Sequence, residues 1–256
     1  MNNKARVTLI GAGPGDPELI TVKAVKALAD ADVVLYDALI NKELLDYAVK
    51  AIKIYVGKKK GFQRYSQDII NELIVENAFK HGHVVRLKGG DPFIFGRGSE
   101  ELDYVNNFEI PFAIIPGISS SLAVPANIGI PLTKRGVAES FWVITGCTSE
   151  KQISEDIKIA TRSTATLVIL MGMHKLKEIT SVLLENDLGD KPIAIIQNGT
   201  TTNEKLGVGT ANNIMDIVTL KKLSSPAIIV IGSVVKESHR LREFCKNISH
   251  KHLLMA

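Results

Sequence analysis

Short runs of β-branched and aliphatic residues alternate along the chain with longer stretches in which apolar positions recur at helical spacing. This is the pattern of an α/β fold with mostly parallel strands. Val7 to Ile10 predicts a first strand, followed by a glycine loop and then by Leu19, Ile20, Val22, Val25 and Leu28 at the spacing of one helix face. Val33 to Tyr36 and Lys53 to Val56 predict the second and third strands. Ser66 is placed to cap a helix carrying Ile69, Ile70, Leu73 and Ile74, and His81-Gly82 ends it where a left-handed residue is wanted. Val84 to Leu87 is a fourth strand leading straight into KGGDP, and Pro111 to Ile115 a fifth.

The segment PGISSSLAVPANIGIPLTKR is rich in small residues and prolines and reads as a loop, a short helix and an irregular connector. A domain boundary is expected near Thr133 to Val137, giving an N-terminal α/β domain over 1–134 and a C-terminal α/β domain over 135–256. In the second domain Phe141 to Thr145, Thr166 to Met171, Pro192 to Ile196, Lys205 to Gly209 and Ala227 to Gly232 predict strands. Helices are expected near Lys175 to Glu185 and Ala211 to Leu220. No sequence repeat relates the halves, and a cleft between two such domains is a preferred place for a small-molecule site.

Composition narrows the chemistry. With 256 residues, 45% of them hydrophobic, the chain can build a core in each domain. A net charge of +4 favours acidic partners without the charge density of a dedicated nucleic-acid binder, and aromatics at 5% leave the lysines without a stacking platform for RNA. Cys147 and Cys245 stand in no CxxC or Cys/His spacing, so neither a disulfide framework nor a metal site is expected. No apolar run approaches the ~18 residues of a membrane span. The expected home is the cytoplasm, with no export signal and no membrane anchor.

The loop GAGPGDP, Gly11 to Pro17, sits between a strand and a helix, the setting of a dinucleotide fingerprint. Its fine pattern differs: the sixth place holds Asp16, not glycine, and the fourth holds Pro14, which has no N–H. A carboxylate at that point also opposes a bound pyrophosphate. Asp37, after the second strand, keeps a nicotinamide enzyme open as an alternative, and a simple strand-to-helix turn capped by Asp16 is another.

The run RLKGGDPFIFGRGSEE, Arg86 to Glu101, places adjacent glycines at a strand end, then Asp91-Pro92, an apolar trio and a Gly-Arg-Gly turn. Such a run leaves backbone donors and acceptors open to a ligand that needs both. Phe93, Ile94 and Phe95 either offer it apolar contact or pin the loop to the core.

These segments together resemble the tetrapyrrole methylases, over about residues 5 to 245. The resemblance rests on GAGPGDPELIT at Gly11, VVLYD ending at Asp37, VGK ending at Lys58, RLKGGDPFIFGRG at Arg86, PGIS at Pro116, GIPLTKR at Gly129, MG at Met171, QNGTT at Gln197 and SPAIIVIG at Ser225. The glycine loop is shared across the family, whereas the complete RLKGGDPFIFGRG string points to the branch that methylates carbon atoms of uroporphyrinogen III. A methylase of a later precorrin is the alternative within the family.

The resemblance implies two α/β domains with S-adenosylmethionine in the interdomain cleft, S-adenosylhomocysteine as product, and a homodimer. By position the cofactor contacts are Pro14, Gly89, Gly90, Asp91 and Ile94, then Ser119 and Ser120, and in the second domain Met171, Gly199 and Ala227. It further implies Asp37 as proton acceptor and Lys58 as proton donor. The substrate carries eight carboxylates, so a basic surface is required. Lys58, Lys59, Lys60 and Arg64 form one candidate cluster, and Arg97, Lys134 and Arg135 another. The chain departs from the family pattern at Lys134, where histidine is usual, and at Ser99, Ser119-Ser120 and Cys147.

Overall fold

The computed structural model describes residues 4–57, 65–238 and 241. The chain divides into two compact units, Met1–Ser120 and Ser121–Ala256. In the first, strands β1 (Arg6–Gly11), β2 (Val33–Tyr36), β3 (Ile52–Tyr55), β4 (His83–Lys88) and β5 (Phe112–Ile115) form one sheet in the order β3-β2-β4-β1-β5. Every pairing is parallel.

Both faces of this sheet are covered, as a parallel sheet requires. Val33 and Leu35 pack with Ile70, Ile74 and Ala78 of α2 (Gln67–His81) and Val105 of α3 (Gly98–Asn106). Val34, of opposite parity, packs with Ala24 and Leu28 of α1 (Val22–Ala29) and with Leu44 and Leu45 of the 3-10 segment Lys42–Tyr47. The link from β1 runs through α1 toward β2, while the link from β4 runs through α3 to β5 on the far side of β1. The loops leaving the adjacent strands β1 and β4 therefore diverge, and their carboxyl ends form a topological switch point.

The caps follow the sequence reading. Ser66 Oγ accepts from the Ile69 N–H at 3.3 Å, and Gly82 ends α2 at φ 110°. Helix α3 was not legible from periodicity because Glu101, a carboxylate, lies on its inward face beside Leu102 and Val105.

At the amino end of β4, His83 is buried with Nε2 2.8 Å from Thr8 Oγ1 and Nδ1 3.0 Å from the Asp30 carbonyl. Burial holds its pKa below the usual 6.5, with the Asp30 carbonyl acting in the opposite direction. The unfolded imidazole binds its proton at higher pH than the folded one, so His83 favours the folded state fully above pH 6.5, and that contribution is lost as pH falls through the folded value. The urea midpoint should therefore drop on acidification below pH 6.5 more steeply in the wild type than in His83→Gln. Parallel pH profiles for the two proteins would remove His83 as the source.

In the second unit, β6 (Phe141–Thr145), β7 (Thr166–Leu170), β8 (Pro192–Gln197), β9 (Lys205–Thr210) and β10 (Ala227–Ile231) form a sheet ordered β6-β7-β10-β8-β9. Only β6 and β7 pair in parallel; β10 runs antiparallel to β7 and β8, and β8 antiparallel to β9. The expectation of mostly parallel strands thus fails for this half. Residues 198–204 join β8 to β9 with no helix between, and β10 inserts between β7 and β8. The apolar runs of β7 and β8 are buried throughout, so their pattern reads the same for either strand direction.

Helices α5 (Glu155–Ala160), α6 (Leu176–Glu185) and α7 (Ile214–Lys221) accompany this sheet. Helix α4 (Ser120–Asn127) and the connector after it also belong to its core, since Val124, Ile128 and Ile130 pack with Ala194, Ile196, Ile228 and Val230. The boundary lies at Ser120/Ser121, upstream of the position expected near Lys134. Among the described residues no helix is long and apolar enough to cross a membrane.

Candidate active site

Three loops of the first unit meet at the carboxyl ends of β1, β4 and β5. The ladder between β1 and β4 continues past the strands: Ala12 donates to the Lys88 carbonyl at 2.7 Å, and Gly90 donates to the Gly13 carbonyl at 2.7 Å. Gly13 and Gly90 both have positive φ, 80° and 66°, which lets the two loops turn back beside each other. Gly117, in the loop after β5, fits against them only because it lacks a side chain; a Cβ there would lie 2.3 Å from the Gly90 oxygen. Gly117→Ala should accordingly lower stability in urea by about 1 to 3 kcal/mol. An unchanged midpoint would show that the loops can separate at no cost.

Asp91 ties the loops after β4 and β5 electrostatically. Its Oδ1 accepts from the Phe93 N–H at 2.9 Å and its Oδ2 from the Gly117 N–H at 3.2 Å. The apolar trio is not pinned into the core: Phe93, Ile94 and Phe95 remain 49%, 42% and 43% exposed. Phe95 and Arg97 flank Gly96 at φ 54° and 59°, left-handed values that cost energy for such side chains. The glycine loop after β1 does not open directly onto an α-helix. Asp16 instead caps the 3-10 turn Pro17–Leu19 by accepting from the Glu18 N–H at 2.9 Å, and Thr21 caps α1. The 3-10 turn separates the glycines from the α1 N-terminus, whereas the dinucleotide alternative requires the helix to start at the glycine loop.

Beneath these loops lies a cluster of charges around Asp37 whose other members sequence reading did not assign. Arg86 and Lys88 alternate with apolar residues on β4 and point to the face covered by α2 and α3, where Glu101 is 1% exposed. Arg86 donates to Asp37 Oδ1 at 2.6 Å and to Glu101 Oε1 at 3.1 Å. Lys88 Nζ lies 2.9 Å from Glu101 Oε1 and 3.7 Å from Asp37 Oδ2. Gln67 also donates to Glu101 Oε1, at 3.1 Å.

Burial, with the neighbouring Arg86 charge next, lowers the Lys88 pKa from its ordinary value against the pull of Glu101 and Asp37. For Arg86 the carboxylates outweigh burial and raise the pKa. Two cations and two carboxylates balance, and only Asp37 reaches the surface, with its side chain 27% exposed. The signal for this cluster was present as two charges at strand spacing in a run otherwise apolar.

The other expected site residues divide by unit. Pro14, Gly89, Gly90, Asp91, Ile94, Ser119 and Ser120 all fall in or beside the three loops. In the second unit Met171 follows β7 at φ 56° and is 53% exposed. Gly199 stands between Asn198 and Thr200, both at positive φ, and a Cβ on it would lie 2.3 Å from Val124 Cγ1, so packing alone requires glycine there. Ala227 opens β10.

Of the basic candidates, Arg97 bonds Glu100, with Nε to Oε1 at 2.8 Å, Lys134 pairs with Glu237, and Arg135 is exposed. Lys58, Lys59, Lys60 and Arg64 lie outside the described residues, as does Cys245.

A switch-point site built from glycine-rich backbone beside a buried ion cluster defines a small-molecule enzyme of the open α/β class. The model of the tetrapyrrole (corrin/porphyrin) methylases matches residues 6–214, and the chain belongs to that family. It is 48% identical over 233 residues to the uroporphyrinogen-III C-methyltransferase of Methanocaldococcus jannaschii, covering 90% of this chain and 96% of that protein. It is 41% identical over 240 residues to a siroheme synthase of Nitrosomonas europaea, matching 93% of this chain and 50% of that longer protein. Among solved structures, the uroporphyrin-III C-methyltransferase of Thermus thermophilus complexed with S-adenyl homocysteine aligns with a TM-score of 0.78 at 36% identity, covering 90% of this chain and 99% of that one.

Proposed function

We propose that the protein is an S-adenosylmethionine-dependent methyltransferase that methylates uroporphyrinogen III on carbon, at C2 and C7, giving precorrin-1 and then precorrin-2. The product serves sirohaem or cobalamin synthesis, and the active form is a homodimer in the cytoplasm. The observation that carries the reading is the joining of three loops, those after β1 and β4 by the Gly13–Gly90 backbone pair and those after β4 and β5 by Asp91, at the end of the strand whose Arg86 and Lys88 face the partly exposed Asp37 carboxylate.

The residues present fit the methyl donor. Gly89 offers main-chain groups to the donor, and Gly90, whose own N–H and C=O pair with Gly13, leaves open space beside them, the nearest atom to a Cβ built on it being Ser120 N at 3.8 Å. Ile94 offers exposed apolar surface for the donor's less polar parts. Met171, Gly199 and Ala227 complete the proposed contacts. When bound, S-adenosylmethionine supplies an electrophilic methyl group.

The chain's own residues orient the tetrapyrrole so that a nucleophilic pyrrole carbon stands in line with that group at about 3 to 3.5 Å. After transfer the macrocycle carries an extra positive charge, and Asp37 accepts the proton whose loss removes that added charge. Lys58 is the proposed proton donor, and Lys59, Arg64, Arg97, Lys134 and Arg135 are proposed to meet the substrate carboxylates.

Incubation with methyl-labelled S-adenosylmethionine and enzymatically generated uroporphyrinogen III should place label in the tetrapyrrole. Label found only in an RNA or in a later precorrin contradicts the reading. Asp91→Ala should weaken S-adenosylhomocysteine binding in calorimetry about tenfold or more, because two charge-assisted bonds that shape the loops are lost. Unchanged affinity would take Asp91 out of the cofactor wall.

A further inference from the structure

Each oxygen of the Asp37 carboxylate faces its own buried cation: Oδ1 is 2.6 Å from Arg86 and Oδ2 is 3.7 Å from Lys88. Both cations are fixed from behind by one atom, Glu101 Oε1, at 3.1 and 2.9 Å. Gln67 holds that atom from α2 and is itself bonded to Asn71. Arg86 also donates to the Leu35 and Leu87 carbonyls at 3.4 and 3.2 Å, so its guanidinium is anchored independently of Asp37.

Among the described residues Lys88 has no such backbone anchor and is held by its hydrogen-bonded ion pair with Glu101 and by the charge of Asp37. Ion pairs of this kind are expensive to bury and gain little stability over apolar packing. Their value here lies in what they do to the one member that reaches the surface.

We infer that Lys88, held by Glu101, is a positioning residue that fixes the orientation of the Asp37 carboxylate toward the tetrapyrrole. Arg86 alone leaves the carboxylate free to rotate about a single contact, whereas a second cation on Oδ2 defines its plane. Lys88 is 4% exposed, whereas the Asp37 side chain is 27% exposed, so the route from Lys88 to a bound substrate runs through Asp37. The inference rests on the reading of Asp37 as the proton acceptor.

The test compares Lys88→Met, Lys88→Arg and Asp37→Asn in the full chain with uroporphyrinogen III and S-adenosylmethionine. For Lys88→Met, kcat should fall about tenfold to a hundredfold, since small displacements of an acid–base group carry penalties of that order. KM for the tetrapyrrole and S-adenosylhomocysteine affinity should stay at wild-type values. Lys88→Arg keeps the charge and should recover most of the loss.

Should Lys88→Met not fold, Lys88→Gln, which retains a donor for Glu101 but no charge for Asp37, is expected to show the same kcat loss. An unchanged kcat, a loss matched by weakened S-adenosylhomocysteine binding, or no recovery in Lys88→Arg overturns the inference. If Asp37→Asn is inactive while the uncharged Lys88 variants turn over normally, the inference alone fails. If Asp37→Asn turns over normally, the reading of Asp37 fails and takes the inference with it.

Discussion

Asp37→Asn is expected to lower kcat by about a hundredfold or more while leaving S-adenosylhomocysteine affinity unchanged. The amide cannot accept the proton that the methylated macrocycle must lose, yet its oxygen can still receive the Arg86 hydrogen bond that now spans 2.6 Å. Alanine is the poorer test. It strips Arg86, 1% exposed, of one of its two carboxylates and so mixes a folding defect into the kinetics. The informative comparison is single-turnover methylation against calorimetric binding for the asparagine variant. Turnover at the wild-type rate would remove Asp37 from the proton-transfer role.

The largest effect on stability is expected at Glu101. Its Oε1 receives Arg86, Lys88 and Gln67, and its Oε2 is buried without a hydrogen bond among the described residues. Glu101→Ala leaves two buried cations facing Asp37 alone, an imbalance that typically costs about 3 to 5 kcal/mol. Urea unfolding of the full chain measures this directly. A loss below about 1 kcal/mol would place the residue with exposed ion pairs such as Lys158–Glu155.

How far the sequence revealed the fold depended on whether an element's inward face was apolar. Strands β1, β2 and β6 and the helix between Ser66 and Gly82 were legible because apolar residues and caps agree in each. Helix α3 was not, since its inward position is Glu101. Strand direction in the second unit was also hidden: continuous apolar burial in β7 and β8 carries no sign of polarity, and the short link 198–204 was the available hint of an antiparallel pair. The connector Thr133 to Val137 looked like a boundary because of its turn residues, but Ile128 and Ile130 commit the preceding segment to the second core.

The candidate site was legible in part for a related reason. Glycine loops at strand ends announce themselves, and Gly89, Gly90 and Asp91 fall together with Pro14 and Ser119 in the structure. The partners that hold Asp37 were invisible because Arg86 and Lys88 are ordinary surface residue types until the fold buries them. The Gly199 position shows the converse. Its motif suggested a ligand contact, whereas the overlap with Val124 supplies a packing reason for the same glycine.

The protein transfers methyl groups to carbon atoms of uroporphyrinogen III. Mass spectrometry of tetrapyrroles recovered from one reaction containing the purified chain, S-adenosylmethionine, uroporphyrinogen III and a later precorrin tests this most directly. Two added methyl groups on uroporphyrinogen III, an intermediate with one, and an unchanged precorrin are expected. Unmodified uroporphyrinogen III beside a methylated precorrin would contradict it.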